Sequence, residues 1–131
     1  MTQPLPVILL TDENEKVKQA LEGKVEYLSW EEADQRPDEV VGMLIYGHPT
    51  INGEVMDRYP NLRMISNCGV GVDHIEVADA VERNIRVGNT PGVLSEATAD
   101  MAFTLLLAAG RRLIEGDHYA RSAEFTKFDS S

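Results

Sequence analysis

Short apolar runs alternate with amphipathic stretches along most of the chain. Val7-Ile8-Leu9-Leu10 is too hydrophobic to face water on either side, which predicts a strand inside a sheet covered on both faces. A helix is expected over Glu13 to Leu21, closed at Gly23, where a left-handed cap fits. Val25 to Trp30 alternates in the manner of a more exposed strand, and the acidic stretch from Glu31 to Glu39, with Pro37 inside it, reads as a short helix or a loop. Val40 to Tyr46 is the third strand, stopped by Gly47-His48-Pro49; a helix over Gly53 to Tyr59 ends before Pro60. Leu62 to Asn67 makes a fourth strand, and Gly69-Val70-Gly71 turns the chain. A helix is then expected from His74 to Arg83 with Ile75, Ala78 and Val81 on one face, followed by a fifth strand over Ile85 to Val87. Pro91 and Gly92 suit the central positions of a type II turn, and Ser95 reads as the N-cap of a long helix through Leu113.

Strands and helices in this order predict a five-stranded, doubly wound parallel α/β sheet of flavodoxin-like type. The last helix departs from the usual pattern. From Ala97 to Leu113 it is apolar nearly all round, so burial on most sides is expected, and one face of a five-stranded sheet covers only part of it. The tail from Arg121 to Ser131 adds Phe125 and Phe128 without a strand pattern. Something else is expected to pack there, either a second copy or a further domain.

Composition narrows the classes. The 131 residues hold 12 Lys+Arg against 22 Asp+Glu, a net charge of −10, which argues against broad nucleic-acid or anionic-membrane binding. One cysteine, Cys68, permits neither an internal disulfide nor a multi-thiolate zinc site and favours a reducing compartment. Met1-Thr2-Gln3-Pro4 lacks a basic leader region, and the run from Met101 to Ala109 falls far short of the ~20 apolar residues that cross a bilayer. A cytoplasmic protein is the expectation.

Three segments invite a chemical reading. Gly69-Val70-Gly71-Val72-Asp73-His74 stands at the carboxyl end of a strand, the side on which open α/β sheets bind ligands. Its glycines let a backbone approach an anion closely, though an ordinary tight strand-to-helix turn has the same composition. The sixth position is His74 rather than glycine or alanine, so the loop is not the dinucleotide fingerprint. Asp73 reads as a helix cap, His74 as a surface helix residue and Cys68 as a small buried hydrophobe. In Thr90 to Thr98 a capped helix start accounts for Ser95 and Glu96 but not for Thr98, while Asp100 would repel a phosphate on the same side. In Tyr46-Gly47-His48-Pro49, again at a strand end, His48 can hydrogen-bond a substrate.

Two other uses of such a fold fail on their own chemistry. A phosphoacceptor receiver needs an aspartate after the third strand and a lysine after the fifth; Tyr46-Gly47 and Gly88-Asn89 stand there. A flavin mononucleotide site needs a hydroxyl- and glycine-rich loop after the first strand, and Thr11-Asp12-Glu13-Asn14-Glu15 carries three carboxylates.

Ile65-Ser66-Asn67-Cys68-Gly69-Val70-Gly71-Val72-Asp73-His74, then Asn89-Thr90-Pro91-Gly92-Val93-Leu94-Ser95-Glu96-Ala97-Thr98-Ala99-Asp100, with Leu105 to Ala109 and Arg111-Arg112, closely resembles the D-isomer-specific 2-hydroxyacid dehydrogenases. Within them it is most similar to the glyoxylate/hydroxypyruvate and 2-ketogluconate reductase branch. The resemblance implies a flavodoxin-like substrate domain over residues 1–94. It makes residues 95–131 a long crossover helix and tail leading to a Rossmann domain. It implies that backbone groups at Val70 and Gly71 hold a 2-oxo acid carboxylate, that His48 lines the substrate pocket, and that Thr98 contacts NAD or NADP. The family's catalytic arginine, glutamate and histidine belong in or beyond the Rossmann domain, so no catalytic residue and no metal ligand is assigned here. On this reading the chain is a truncated oxidoreductase, inactive alone and without tight cofactor binding. The competing expectation is a docking module that self-associates or seats on a full-length subunit through the 95–113 helix.

Overall fold

The computed structural model describes residues 4–12 and 14–126, which fall into two compact units, 1–92 and 93–131. The first unit contains β1 (Val7–Leu10), α1 (Glu15–Leu21), β2 (Glu26–Leu28), α2 (Trp30–Gln35), β3 (Val40–Ile45), α3 (Gly53–Asp57), β4 (Met64–Asn67), α4 (Val77–Glu82) and β5 (Arg86–Gly88). All five strands are parallel, in the order β2-β1-β3-β4-β5. The doubly wound α/β sheet expected from the sequence is the fold observed.

Alternation along the strands explains the core. Leu9 in β1, Ile45 in β3 and Ile65 in β4 are wholly buried, and Ile51, Met56, Tyr59 and Ala80 complete the same cluster. Gly42 leaves room where β3 pairs with β1: a Cβ there would meet Ile8 Cγ2 at 3.2 Å, and that side chain would have to give way. Tyr59 keeps its hydroxyl satisfied by donating to Asp34 at 2.7 Å. Burial, reinforced by that carboxylate, pushes its phenol well above the ordinary range.

Several boundaries differ from the sequence expectation for identifiable reasons. The second strand ends at Leu28, because Ser29 and Glu32 form a reciprocal capping box that opens α2 at Trp30. The Ser29 backbone N–H also holds the Glu32 carboxyl below its usual range. Asn14 caps α1 by accepting from Lys16 and Val17, so that helix starts at Glu15; Glu13 lies outside the described residues. The third strand and third helix stop one and two residues early, at Ile45 and Asp57, while β4 begins at Met64 and β5 at Arg86.

The expected helix from His74 is the larger correction. Residues 74–76 are drawn instead into an isolated parallel bridge, with Ile51 N–H donating to His74 O and Glu76 N–H to Ile51 O, both at 2.8 Å. The helix α4 therefore starts at Val77, Glu76 and not Asp73 is its N-cap residue, and His74 sits in the loop. Ala80 faces the core, whereas Ala78 and Val81 are exposed. Cys68 is exposed too, since it follows buried Asn67 and points the opposite way.

The second unit holds α5 (Ser95–Gly110) and α6 (Leu113–Arg121). Leu94 occupies the N-cap position without a side-chain bond, so Ser95 is the first helical residue rather than the cap. The run to Leu113 is interrupted at Arg112, whose left-handed backbone (φ 50°) separates two helices. None of the α5 residues is buried; Met101, Phe103, Leu105, Leu106 and Leu107 all stand exposed. Phe125 packs edge-on against Tyr119, and Phe128 lies outside the described residues. Among the described residues no helix is long and apolar enough to cross a membrane.

Helices α3 and α4 are pinned together by charge. Arg83 donates to both Asp57 oxygens at 2.7 and 2.8 Å and to Asp79 O, while Gly53 N–H donates to Asp79 Oδ2 at 2.6 Å. The Arg83 bonds hold the Asp57 carboxyl below its ordinary value. A carboxyl depressed in the folded state stabilises fully above its unfolded pKa and loses that contribution as pH falls through the folded one. Wild type is therefore expected to melt above Asp57→Asn at neutral pH, with the gap closing between pH about 5 and 2. Thermal melts across that range check it; a gap independent of pH rules out the pair as its source.

Candidate functional site

Parallel strands bring the loops after β1, β3, β4 and β5 to one rim of the sheet. Thr11 anchors the loop after β3: its hydroxyl donates to Tyr46 O at 3.1 Å and accepts from Tyr46 N–H at 2.8 Å. The loop after β4 is anchored by Cys68 N–H on Ile45 O at 2.8 Å.

Asn67 organises the rest of the loop after β4. It closes the strand in the inward-facing register of Ile65 and is only 3% exposed, the sole polar side chain among the buried described residues. Its amide nitrogen donates to Gly71 O at 2.7 Å and to Gly69 O at 3.3 Å. From the other side, Asn89 Nδ2 donates to Val70 O at 2.8 Å, and Thr90 N–H also donates to Gly69 O at 3.0 Å. Three successive carbonyls are thus tied back. The N–H groups of residues 69–74, Val70 and Gly71 included, have no acceptor among the described residues. Gly69 leaves room for this arrangement: a Cβ there would stand 3.1 Å from the Asn67 amide nitrogen, which would have to shift.

Asn67 Oδ1 meets His74 Nε2 at 3.2 Å, and His74 Nδ1 meets His48 Nδ1 at 3.3 Å, the two rings nearly perpendicular with centroids 4.9 Å apart. The structure therefore joins His48, expected from its own loop, to the Val70–Gly71 loop through a residue assigned beforehand to a helix surface. Thr98 belongs to the second unit, exposed on the first turns of α5 with its N–H on Leu94 O. Asn67, His74 and Asn89 were not singled out from the sequence as site residues. The available signal was an amide on the buried register of a strand, where an apolar residue is the norm.

The rim is electrically plain. No Lys or Arg occurs in segments 11–14, 46–52, 67–76 or 89–92. Asp73 lies close to Gly71, its Oδ2 3.3 Å from where a Gly71 Cβ would stand. Among the described residues no group of three or more His, Cys, Asp or Glu side chains is placed to hold a metal ion. An open cleft of about 430 Å³ lies beside β1 and β2, lined by Thr11 and Asp12 of the rim and by Lys18, Tyr27, Trp30 and Glu32.

Residues 8–127 match the family model described as the catalytic domain of D-isomer specific 2-hydroxyacid dehydrogenases. The chain belongs to that family. A glyoxylate reductase of Thermococcus kodakarensis is 54% identical over 77 residues, covering 59% of this chain and 23% of that protein. A glyoxylate reductase of Pyrococcus horikoshii is 36% identical over 131 residues, covering 93% of this chain and 39% of that protein. Among solved structures, an NADPH-dependent glyoxylate/hydroxypyruvate reductase of Sinorhizobium meliloti, in complex with NADP and malonate, superposes with a TM-score of 0.73. It is 32% identical and covers 92% of this chain and 39% of that one. The chain spans less than half the length of these relatives.

Asn67 is the residue on which the loop geometry turns. Asn67→Asp replaces a donor by a carboxylate facing two carbonyl oxygens, so a loss of about 1–3 kcal/mol is expected. Urea unfolding measures the loss, and faster hydrogen exchange at the amides of 68–74 localises it. An unchanged midpoint with unchanged exchange would sink this account of the loop.

Proposed function

We propose that residues 1–94 are the substrate domain of an NAD(P)-dependent D-2-hydroxyacid dehydrogenase of the glyoxylate/hydroxypyruvate reductase type. On this reading the free N–H groups of Val70 and Gly71 receive the carboxylate of a small 2-oxo or 2-hydroxy acid. The observation that carries it is the run of unpartnered N–H groups over residues 69–74, Val70 and Gly71 among them, on a loop whose Gly69, Val70 and Gly71 carbonyls are tied back. A hydrogen bond to a charged group contributes roughly 1.5–3 kcal/mol, and the loop presents two donors without further ordering. The nearby Asp73 and the absence of any rim cation oppose the anion. Binding by these residues alone is therefore expected on the order of millimolar.

The residues present do not make a dinucleotide site. The glycine loop lacks the third glycine of the fingerprint, and Glu96 and Asp100 flank Thr98 with negative charge. Thr98 is at most one contact to a nucleotide held elsewhere. Reduction of a 2-oxo acid needs a hydride donor held against C2 and an acid for its oxygen, and we assign neither role to a residue of this chain. Residues 95–131 are proposed to connect to the nucleotide-binding part of the enzyme, in a cytoplasmic protein.

A second reading is favoured by one observation, the row of exposed apolar residues along α5. Surface of that kind is covered in a working protein, here by a second copy or a full-length subunit. Size-exclusion chromatography of the purified 131-residue chain is expected to show self-association. A sharp monomer peak counts against this use of α5.

The test of the main reading is oxidation of NADPH and NADH by the same chain with glyoxylate or hydroxypyruvate. No turnover above a trace-contaminant control is expected, and no saturable cofactor binding in a fluorescence titration. Genuine turnover overturns the division of labour and makes His48 and His74 the first residues to replace.

A further inference from the structure

The chain of contacts from Asn67 to His48 fixes hydrogens as well as rings. Carbonyl oxygens only accept, so the Asn67 atom facing Gly69 O and Gly71 O is its nitrogen, and Oδ1 faces His74. Oδ1 likewise only accepts, so His74 Nε2 carries a hydrogen. A neutral imidazole has one N–H, which leaves His74 Nδ1 bare. The 3.3 Å contact between the two Nδ1 atoms is then closed by His48 Nδ1–H donating to His74. Neutral His48 is left with a bare Nε2, the reverse of the tautomer that an unconstrained imidazole favours. Its ring is exposed at the sheet rim.

We propose that His48 Nε2 is a specificity-determining acceptor for a hydroxyl on C3 of the bound acid, with His74 as the residue that positions it. The assignment rests on the substrate-domain reading. A bare nitrogen repels a carboxylate or keto oxygen and pairs only with a group that donates. Once the carboxylate occupies the Val70 and Gly71 amides, the hydroxyl beyond C2 is a donor that distinguishes a three-carbon hydroxy acid from its deoxy counterpart. His48 thereby separates glycerate or hydroxypyruvate, which carry that hydroxyl, from lactate or pyruvate, which carry a methyl group in its place.

Imidazole nitrogen spectra of the ¹⁵N-labelled 131-residue protein test this at pH about 8, above the ordinary imidazole pKa of about 6.5. His48 is expected as the Nδ1–H tautomer with a bare Nε2. His74→Phe should return His48 to Nε2–H. His74→Gln, whose amide can donate to Asn67 and accept from His48, should retain Nδ1–H. In titrations, D-glycerate is expected to bind roughly three- to tenfold more tightly than D-lactate and to shift His48 Nε2. His48→Phe should level the two acids. Nε2–H on wild-type His48, or equal binding of both acids with His48 unmoved, overturns the proposal while shifts at the Val70 and Gly71 amides leave the substrate-domain reading standing. If neither acid moves those amides, both fall together.

Discussion

One buried amide governs the candidate site. Asn67 occupies a position that strand alternation reserves for the core, and a polar group there costs free energy unless all its bonding capacity is used. It meets that condition by turning its nitrogen toward the carbonyls of Gly69 and Gly71 and its oxygen toward His74. The orientation of two carbonyls and the placing of the His74 imidazole, against which His48 rests, stem from that requirement, while Asn89 holds the carbonyl of Val70. Gly69, the first glycine of the loop, leaves room for the amide to reach across.

The sheet was legible because its information is local. Continuous apolar runs at β1 and β3 mark strands covered on both faces in their own composition, and turn residues mark where each strand ends. Positions decided by distant partners were not legible. His74 looks helical from its neighbours, yet the bridge from Ile51 holds its backbone extended. Trp30 was drawn into a strand although the Ser29-x-x-Glu32 box announcing a helix stood in the sequence. The interruption at Arg112 needs a left-handed residue that arginine gives no hint of adopting. In the site, Val70, Gly71 and His48 came from strand ends and the family likeness. Asn67 and His74 were missed because their part is played through contacts between side chains on separate loops.

The rim carries no formal positive charge of its own. Backbone N–H groups can align an anion, but neutralising it falls to groups outside segments 11–14, 46–52, 67–76 and 89–92. On the proposed substrate-domain reading, recognition of shape and provision of charge are thereby divided between different stretches of polypeptide.

The single bridge between Ile51 and Ile75 has an evolutionary consequence. It closes a ring that runs from the end of β3 through residues 46–50, across two hydrogen bonds, and back along residues 68–74 to β4. The bridge and the strand spacing set the span that residues 46–50 cover, so a change in their number has to be taken up within that loop. The identities of side chains on the same arc are unconstrained by closure. Side chains on the arc can therefore be exchanged in evolution while the two backbone hydrogen bonds of the bridge stay in place.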